Sequence, residues 1–266
     1  MYKGGYTGKI LRINLTDQSA KEETLPLKVA KDFIGGAGFG IKYLFDEVKA
    51  GADPLGPENK LIFASGPFSG TTIPCASRMS VTAKSPLTGA VGMALTGGYF
   101  PVELKFAGCD VLIIEGKAEK PTYVWIKDGK VQFRSAKKVW GMKTTDCQQI
   151  IKNELNDQNV RIACIGPAGE NRSAMACINV DTYRHFGRPG GGAVMGAKNL
   201  KAIVIVGDNS FELPANKEYA PLFQKIYGQL TETNMMEKYH NLGTPVNVAV
   251  LNDIKAMPCR NLQRTS

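Results

Sequence analysis

An α+β fold built from two related units, roughly residues 5–118 and 119–208, is predicted by three features of the sequence. Each unit opens with a strand–turn–strand pattern, contains a buried strand that ends in Gly-Pro, and closes with a very apolar strand followed by glycine. Because these patterns occur in the same order twice, we expect two β-sheet/helix repeats related by a pseudo-two-fold axis. The alternative is coincidence among common α/β patterns.

The opening strands are indicated by GKILRINLTDQSAKEETL in the first unit and by PTYVWIKDGKVQFRSA in the second. In the second pattern, Asp128-Gly129 is typical of a two-residue hairpin turn. Helical segments follow. LKVAKDFIGGAGFGIKYLFDEV indicates two short helices around Gly35-Gly36, and TTDCQQIIKNEL indicates one helix, which we expect a threonine or aspartate to cap.

Buried strands and glycine-rich segments come next in both units. KLIFASGPFSG and VRIACIGPAGE place Gly66-Pro67 and Gly166-Pro167 at matching points. GGYF and PGGGAVMG then precede the closing strands CDVLIIEG and LKAIVIVG. If the axis exists, the glycine-rich loops of both units would face one another and would suit a roughly two-fold symmetric ligand.

The character of the chain changes after Gly207. DNSFELPANKEYA reads as a linker, and YAPLFQKIYGQL has a helical pattern. We therefore expect a first domain over 1–210, and a linker with the incomplete start of a second, helical domain over 211–266. The last residues, GTPVNVAVLNDIKAMPCRNLQRTS, show no obvious closing element.

The composition excludes several classes of protein. With 43% hydrophobic residues the chain can form a core, and its net charge of +9 is not gathered into long Lys/Arg runs, so we expect no nucleic-acid partner. Apolar runs are only of strand length, which predicts no membrane span and a cytoplasmic protein. The six cysteines include no C-x-x-C pair, so zinc and iron–sulfur motifs are not expected.

Nucleotide and hydrolase motifs are approached but not matched. GGAGFG has alternating glycines after a helical pattern, and in GAVMGAKN Lys198 is followed by Asn199 where a P-loop has Ser or Thr. We also expect YRHFGRP, which precedes that segment, not to be a strand. His185 and His240 are isolated, so no catalytic set is predicted within this chain.

Motifs that occur in order along the chain resemble the N-terminal domain of the aldehyde:ferredoxin oxidoreductase family of tungsten-pterin enzymes. These motifs are GGAGFGIKYLFDEV, DPLGPENKLIFASGPFSGT, AKSPLTG, GGYFPVELKFAGCDVLIIEGKAEKP, IGPAGEN and GAVMGAKNLKAI. The resemblance covers roughly residues 1–210, and the tail resembles the start of the family's second domain. It implies a two-sheet base with internal pseudo-symmetry, on which a tungsten bis-pterin cofactor of the molybdopterin type lies.

The same resemblance implies a reaction and partners. The family oxidises aldehydes to carboxylic acids with water, and two electrons pass from the metal, here tungsten or molybdenum, to a [4Fe-4S] cluster and then to ferredoxin. The cluster ligands and acid/base residues lie in later domains, so we expect them from downstream domains or from another subunit. A non-catalytic pterin-binding or scaffold subunit that docks a redox partner through its basic surface is the alternative.

Cofactor contacts are implied residue by residue. The matching positions are Arg78 in CASRMSV, Leu95, Thr96, Gly97 and Gly98 in LTGG, and Arg184, His185, Gly187 and Arg188 in YRHFGRP. In the family, the arginine at Arg78 binds a cofactor phosphate, the two glycines provide a backbone contact, and the second segment holds the other pterin. Guanidinium groups bind phosphate oxygens in pairs, and glycine lets a ligand approach the backbone.

Two positions depart from the family pattern. Leu95-Thr96 stands where members have Asn-Ser, and that asparagine helps to hold a magnesium ion between the pterin phosphates. A main-chain contact would survive at Leu95, with His185 as the second main-chain contact, whereas a side-chain contact would be lost. Pro189 stands where members have glycine, which removes one N–H donor. For Arg78, an ion pair with Glu103 is the alternative interpretation.

Overall fold

The computed structural model describes residues 4–210 and 217–265. The chain divides into two compact units, Met1–Pro214 and Ala215–Ser266. The elements in the first half of the first unit are β1 (Lys9–Asn14), β2 (Ser19–Thr24), α1 (Leu27–Phe33), α2 (Ala37–Glu47), β3 (Leu61–Ser65), β4 (Met79–Lys84), β5 (Val91–Thr96), α3 (Phe100–Phe106) and β6 (Val111–Glu115).

The second half of this unit repeats the arrangement of strands, with one helix where the first half has α1 and α2 and a short helix after its third strand. Its elements are β7 (Thr122–Lys127), β8 (Lys130–Ser135), α4 (Thr144–Leu155), β9 (Arg161–Cys164), α5 (Pro167–Glu170), β10 (Ile178–Val180), β11 (Arg184–Phe186), α6 (Gly191–Ala197) and β12 (Leu200–Val206).

Two six-stranded sheets have the same topology. Their strand orders are β2-β1-β6-β3-β4-β5 and β8-β7-β12-β9-β10-β11, which become identical when β1 to β6 are matched with β7 to β12. In each sheet the first and last strands of the half pair in parallel, and the other pairs are antiparallel. The predicted α+β fold of two matching sheet-and-helix halves is therefore confirmed, and the axis that relates them remains a prediction.

A shared core joins the two sheets. Phe63 on β3 and Phe186 on β11 pack edge to face with ring centroids 5.5 Å apart, and both are buried. Helix α3 packs on β3 of its own sheet and on β9 and β12 of the other, while α6 packs on β12 and on β3 and β4. Because each half contributes a helix that touches both sheets, neither half completes its core alone.

The outer faces of the sheets are covered separately. Helices α1 and α2 close an apolar cluster over the first sheet, and α4 closes another over the second. The two predicted helices around Gly35-Gly36 are confirmed. Asp128 and Gly129 form the predicted hairpin turn, with φ values of +49° and +77°.

Two local expectations are wrong. The N-cap of α4 is Lys143 without a side-chain hydrogen bond, because Thr144 already lies inside the helix and the Thr145 hydroxyl bonds to Asp146 Oδ1 at 3.4 Å. The segment before α6 does contain a strand, β11, which pairs with β10. This strand has only three residues, too few to show an alternating pattern in the sequence.

The second unit consists of short helices and a small hairpin, α7 (Tyr219–Thr231), α8 (Asn234–Leu242), a 3₁₀ helix (Thr244–Val246), α9 (Asn247–Asp253), β13 (Pro258–Cys259) and β14 (Arg264–Thr265). The predicted helix at its start is confirmed, whereas the last residues form a hairpin where no element was expected. None of its described residues is fully buried. The predicted linker includes residues 211–216, which lie outside the described residues. Over the described parts of the chain, no helix is long and apolar enough to cross a membrane.

Candidate functional site

The predicted site residues come from three separate stretches, and the structure brings their central members together. Arg78 precedes β4, Gly97 and Gly98 link β5 to α3, and Arg184 begins β11. A Cβ placed on Gly97 would lie 3.9 Å from Cδ and Nε of Arg78, and one on Gly98 would lie 3.3 Å from Cγ of Arg184. The two glycines therefore lie between an arginine of each half.

Edge strands carry this arrangement. β5 and β11 are the last strands of their sheets, and they contact each other. Because Gly98 has a φ of +97°, in the left-handed region, the turn out of β5 requires glycine at this position. The site thus lies where the free edges of the two sheets meet.

Three arginines of the candidate site are exposed and have no carboxylate partner among the described residues. Among the described residues, no acidic side chain forms an ion pair with Arg78, Arg184 or Arg188. The alternative pairing of Arg78 with Glu103 is not formed, since Glu103 accepts a hydrogen bond from the Gly207 N–H at 3.1 Å. Positive charge that is not neutralised by the protein favours an anionic ligand.

Leu95 and His185 occupy equivalent places in the two sheets. Leu95 pairs with Ser80 between β5 and β4, and His185 pairs with Asn179 between β11 and β10. Ser80 pairs in turn with a residue of β3, and Asn179 pairs with a residue of β9. Each of these two partners lies two positions before the Gly-Pro pair that follows its strand. The two predicted main-chain magnesium contacts therefore come from matching positions on facing edges, and magnesium binding there stays a prediction.

The side chains at 95 and 96 add little to the site themselves. Leu95 is 51% exposed and has no side-chain oxygen, and Thr96 is buried with only the Gly97 carbonyl, at 3.4 Å, near its hydroxyl. Across 4–210 and 217–265, no group of three or more His, Cys, Asp or Glu side chains is placed to hold a metal ion. Any contact from Leu95 to an ion is therefore a main-chain contact.

Pro189 is held by the first half of the unit. Its carbonyl accepts a hydrogen bond from Ser85 Oγ at 2.8 Å, and its Cβ would lie 3.0 Å from a Cβ on Gly92. Proline provides no N–H donor at this position, but its contacts fix the 187–190 loop against the β4–β5 hairpin. Sequence reasoning noted the AKSPLTG motif but not that Ser85 serves this loop.

Gly187, in the same loop, faces open space. A Cβ placed on this residue would meet no atom within 4 Å. The neighbouring Arg188 is exposed. A ligand can therefore approach the backbone here as well as at Gly97 and Gly98.

Two acidic residues on or next to α3 have raised pKa values. Burial raises the pKa of Asp181, whose Oδ1 accepts from the Ile162 N–H at 3.1 Å, and burial also raises the pKa of Glu103. The guanidinium of Arg161 stacks on the ring of Tyr99 at 4.7 Å from its centroid. These contacts support the turn into β11 and the start of α3, and no local pattern in the sequence marks them.

The nucleotide-binding alternative is rejected by the position of Lys198. This side chain is buried, and its Nζ donates to the carbonyls of Gly116 at 2.8 Å and Pro57 at 3.2 Å. Asn199 Nδ2 donates to the Ala118 carbonyl at 2.7 Å. Neither side chain is available to a phosphate or to magnesium, as a P-loop requires.

The comparison with protein families decides the relationship. The family model described as the N-terminal domain of aldehyde ferredoxin oxidoreductase matches residues 10–207. This chain belongs to the aldehyde ferredoxin oxidoreductase family. Curated relatives named tungsten-containing aldehyde ferredoxin oxidoreductase include proteins of Pyrococcus abyssi, 46% identical, and Pyrococcus furiosus, 41% identical, each over 263 residues. The match covers 97% of this chain but only 43% of each relative, so the chain spans less than half the length of these oxidoreductases.

Proteins with other names are also similar to this chain. An aliphatic sulfonate oxidoreductase, WOR-like subunit, of Pyrococcus furiosus is 32% identical over 274 residues. A solved structure titled as the active site complex BamBC of benzoyl coenzyme A reductase, in complex with 1,5-dienoyl-CoA, superposes with a TM-score of 0.83. It is 35% identical, and the match covers 87% of this chain and 36% of that chain. The two-sheet fold is therefore shared with oxidoreductases named for different substrates.

Proposed function

We propose that this chain is the cofactor-binding part of a tungsten or molybdenum bis-pterin oxidoreductase that oxidises aldehydes to carboxylic acids. The observation that carries the proposal is the pair of glycines that lies between Arg78 and Arg184. These two arginines and Arg188 are exposed and have no carboxylate partner in the described structure. The names of the tungsten-containing relatives support the same assignment.

The residues present fit the phosphate groups of such a cofactor. A guanidinium fork donates two parallel hydrogen bonds to phosphate oxygens, and one half of the unit offers Arg78 while the other offers Arg184 and Arg188. The open approach to Gly187 leaves room for a ligand against the backbone. A ligand with two similar phosphate-bearing ends matches a site assembled from two similar halves.

Each residue then has a defined part in binding. The arginines would hold the phosphates, Thr96, Gly97 and Gly98 would bring the backbone close to the ligand, and the carbonyls of Leu95 and His185 would ligate magnesium. When bound, the cofactor supplies the redox chemistry, taking two electrons from the aldehyde while water provides the oxygen atom. No residue of this chain is assigned as an acid or base.

Electron exit is proposed to lie outside this chain. All six cysteines are free, and those in the described first unit lie singly in the core or at the surface or, like Cys147 and Cys164, inside the cluster under α4. We therefore assign the [4Fe-4S] ligands, the contact with ferredoxin or another redox partner, and much of the aldehyde pocket to further domains or to another subunit.

A second candidate is a non-catalytic pterin-binding or scaffold subunit. It is favoured by relatives whose names describe them as a subunit or as part of a complex. In that case the same arginines would hold the cofactor, but aldehyde oxidation would depend on a separately encoded partner. The two candidates differ in whether a single purified polypeptide oxidises aldehydes.

The test is elemental and pterin analysis of the protein produced from its complete gene. Replacement of Arg78 or Arg184 by alanine should lower the tungsten or molybdenum content about tenfold each, since hydrogen bonds to charged groups contribute ~1.5–3 kcal/mol. Lys130→Ala removes a positive charge at the β7–β8 hairpin and should leave the metal content unchanged. A wild-type protein without metal and pterin, or arginine variants with full metal content, would contradict the proposal.

A further inference from the structure

Two buried amide side chains lie directly behind the strand that carries Arg184 and His185. Gln148 on α4 and Asn179 on β10 are each 4% exposed. Gln148 Nε2 donates to Asn179 Oδ1 at 2.5 Å. Buried amides need partners for each polar atom, so the remaining contacts of Asn179 show what this pair holds in place.

All other hydrogen-bonding contacts of the Asn179 amide are with the β10–β11 turn and with β11. Its Nδ2 lies 3.0 Å from the Thr182 carbonyl, 3.3 Å from the Arg184 carbonyl and 3.0 Å from His185 Nε2. The orientation of the amide is fixed, because the opposite orientation would point its oxygen at two carbonyl oxygens. His185 Nε2 is therefore an acceptor, and the ring hydrogen is on Nδ1.

The turn that leads into β11 has an unfavourable backbone conformation. Asp181 and Thr182 have φ values of +45° and +69°, and a β-branched residue rarely adopts the left-handed region. Such a conformation persists only where surrounding contacts maintain it. Here those contacts are the Asn179 amide on the Thr182 carbonyl and the two hydrogen bonds between Asp181 and the backbone of Ile162.

In the first half of the unit, the side chain at the equivalent position makes no hydrogen bond to the edge strand. Ser80 occupies the position equivalent to Asn179 and is fully buried, but its hydroxyl bonds only to the Ala64 carbonyl of β3, at 3.5 Å. It does not reach β5. The amide support is therefore specific to the second half, and Ser80 offers a matched control.

We propose that Asn179, supported by Gln148, is a positioning residue of the cofactor site. It fixes the main chain of Arg184 and the ring of His185, so that the Arg184 side chain lies beside Gly98 on the facing edge. The inference rests on the proposed function for the ligand, but the contacts of Asn179 with His185 are properties of the protein alone.

The experiment compares Asn179→Asp, which keeps the size and replaces the amide donor with an oxygen, with Ser80→Ala. The first readout is the tautomer of His185, measured by ¹⁵N NMR of the ring nitrogens at about pH 9, where imidazole is neutral. The chain has only two histidines, so a His240→Gln variant assigns the signals. We expect Nδ1–H in the wild type and in Ser80→Ala, and loss of that preference in Asn179→Asp.

The second readout is the tungsten or molybdenum content of the protein from its complete gene. We expect a loss of about tenfold or more in Asn179→Asp, as for other residues that orient ligand-binding groups, and no loss in Ser80→Ala. If Asn179→Asp does not fold, Gln148→Glu, which removes the donor to Asn179, is measured with the same expectations. The NMR readout would not respond to a merely structural loss of stability.

The possible results separate the two proposals. An unchanged His185 tautomer in Asn179→Asp overturns the positioning role, and so does a changed tautomer with full metal content. A wild-type protein without metal and pterin overturns the proposed function together with the role of Asn179 in it. In that last case the NMR result still shows whether Asn179 orients His185.

Discussion

Gly98 lies so close to Arg184 that a Cβ on the glycine would come within 3.3 Å of the arginine Cγ. Gly98 belongs to the turn after β5 in the first half, and Arg184 begins β11 in the second. The contact therefore joins two stretches that are far apart in the chain. It also places the proposed cofactor site between the halves, so that neither half forms it alone.

Replacement of Gly98 by alanine should weaken both the fold and the site. The φ of +97° makes a side chain unfavourable by about 1–2 kcal/mol, and the added Cβ would displace Arg184. We expect that loss in urea unfolding, together with a lower metal content. Gly108→Ala is the control, because Gly108 has a φ of +95° and open space around its Cβ position. If both variants lost the same amount of metal, the cause would be backbone strain and not displacement of Arg184.

Removal of the Ser85 hydroxyl should loosen the loop before α6. Ser85→Ala breaks the 2.8 Å bond to the Pro189 carbonyl, for which we expect a loss of about 1–2 kcal/mol in unfolding free energy. Hydrogen exchange should become faster at the Gly192 amide, which donates to the Ala176 carbonyl at the start of α6. Thr231→Ala removes a similar hydroxyl–carbonyl bond in the second unit and should not change that amide. Unchanged exchange in Ser85→Ala would refute the link.

The buried ion pair between Lys105 and Asp110 should be costly to break. Lys105 Nζ lies 3.2 Å from Asp110 Oδ1, and both side chains are almost completely buried. Either Lys105→Met or Asp110→Asn leaves one buried charge without the opposite charge beside it, which typically costs about 3–5 kcal/mol. Asp110→Asn should cost more, because the carboxylate also accepts from the N–H groups of Thr7 and Gly8.

An exposed ion pair provides the comparison for this measurement. Lys28 and Asp32 pair along α1 at the surface, where solvent screens the charges. Lys28→Met should therefore leave the unfolding midpoint in urea almost unchanged. If Lys105→Met were equally mild, the buried pair would not be a significant source of stability.

The stability of the protein should rise with pH in a window set by Lys198. Burial lowers the pKa of Lys198 to about 8 from 10.5. Between these values the unfolded chain binds the proton more tightly, so the unfolding free energy increases as pH rises from 8 to 10.5, and this gain is lost again as pH falls from 10.5 to 8. The contribution is up to about 3 kcal/mol at about 1.4 kcal/mol per pH unit.

A variant that lacks only Lys198 isolates this contribution. Lys198→Met removes the titrating group, so its unfolding free energy should lack the rise that Lys198 gives the wild type between pH 8 and 10.5. Lys130→Met, at an exposed position of β8, should follow the wild type. If the unfolding free energies of the wild type and Lys198→Met changed in parallel between pH 8 and 10.5, the prediction would be refuted.

Local patterns predicted most of the elements of the first unit and their order. The Asp128-Gly129 turn, the helices around Gly35-Gly36 and the Gly-Pro pairs at 66 and 166 all depend on neighbours within a few residues, so the sequence shows them directly. The α4 cap was predicted incorrectly, because the helix already begins at Thr144 and leaves Lys143 at the N-cap. β11 was missed because its three residues pair only through a turn with unusual dihedral angles.

From the sequence, the internal repetition and the family resemblance could be recognised, and the arginines and glycines of the proposed site could be named as candidates. Only the tertiary structure shows that β5 and β11 meet, that Arg78 lacks a carboxylate partner within the described residues, and that Ser85 and Asn179 donate hydrogen bonds to the carbonyls of Pro189 and Arg184. These contacts join residues that lie on different elements or in different halves. Such pairings depend on sheet order and core packing, which no short window of sequence contains.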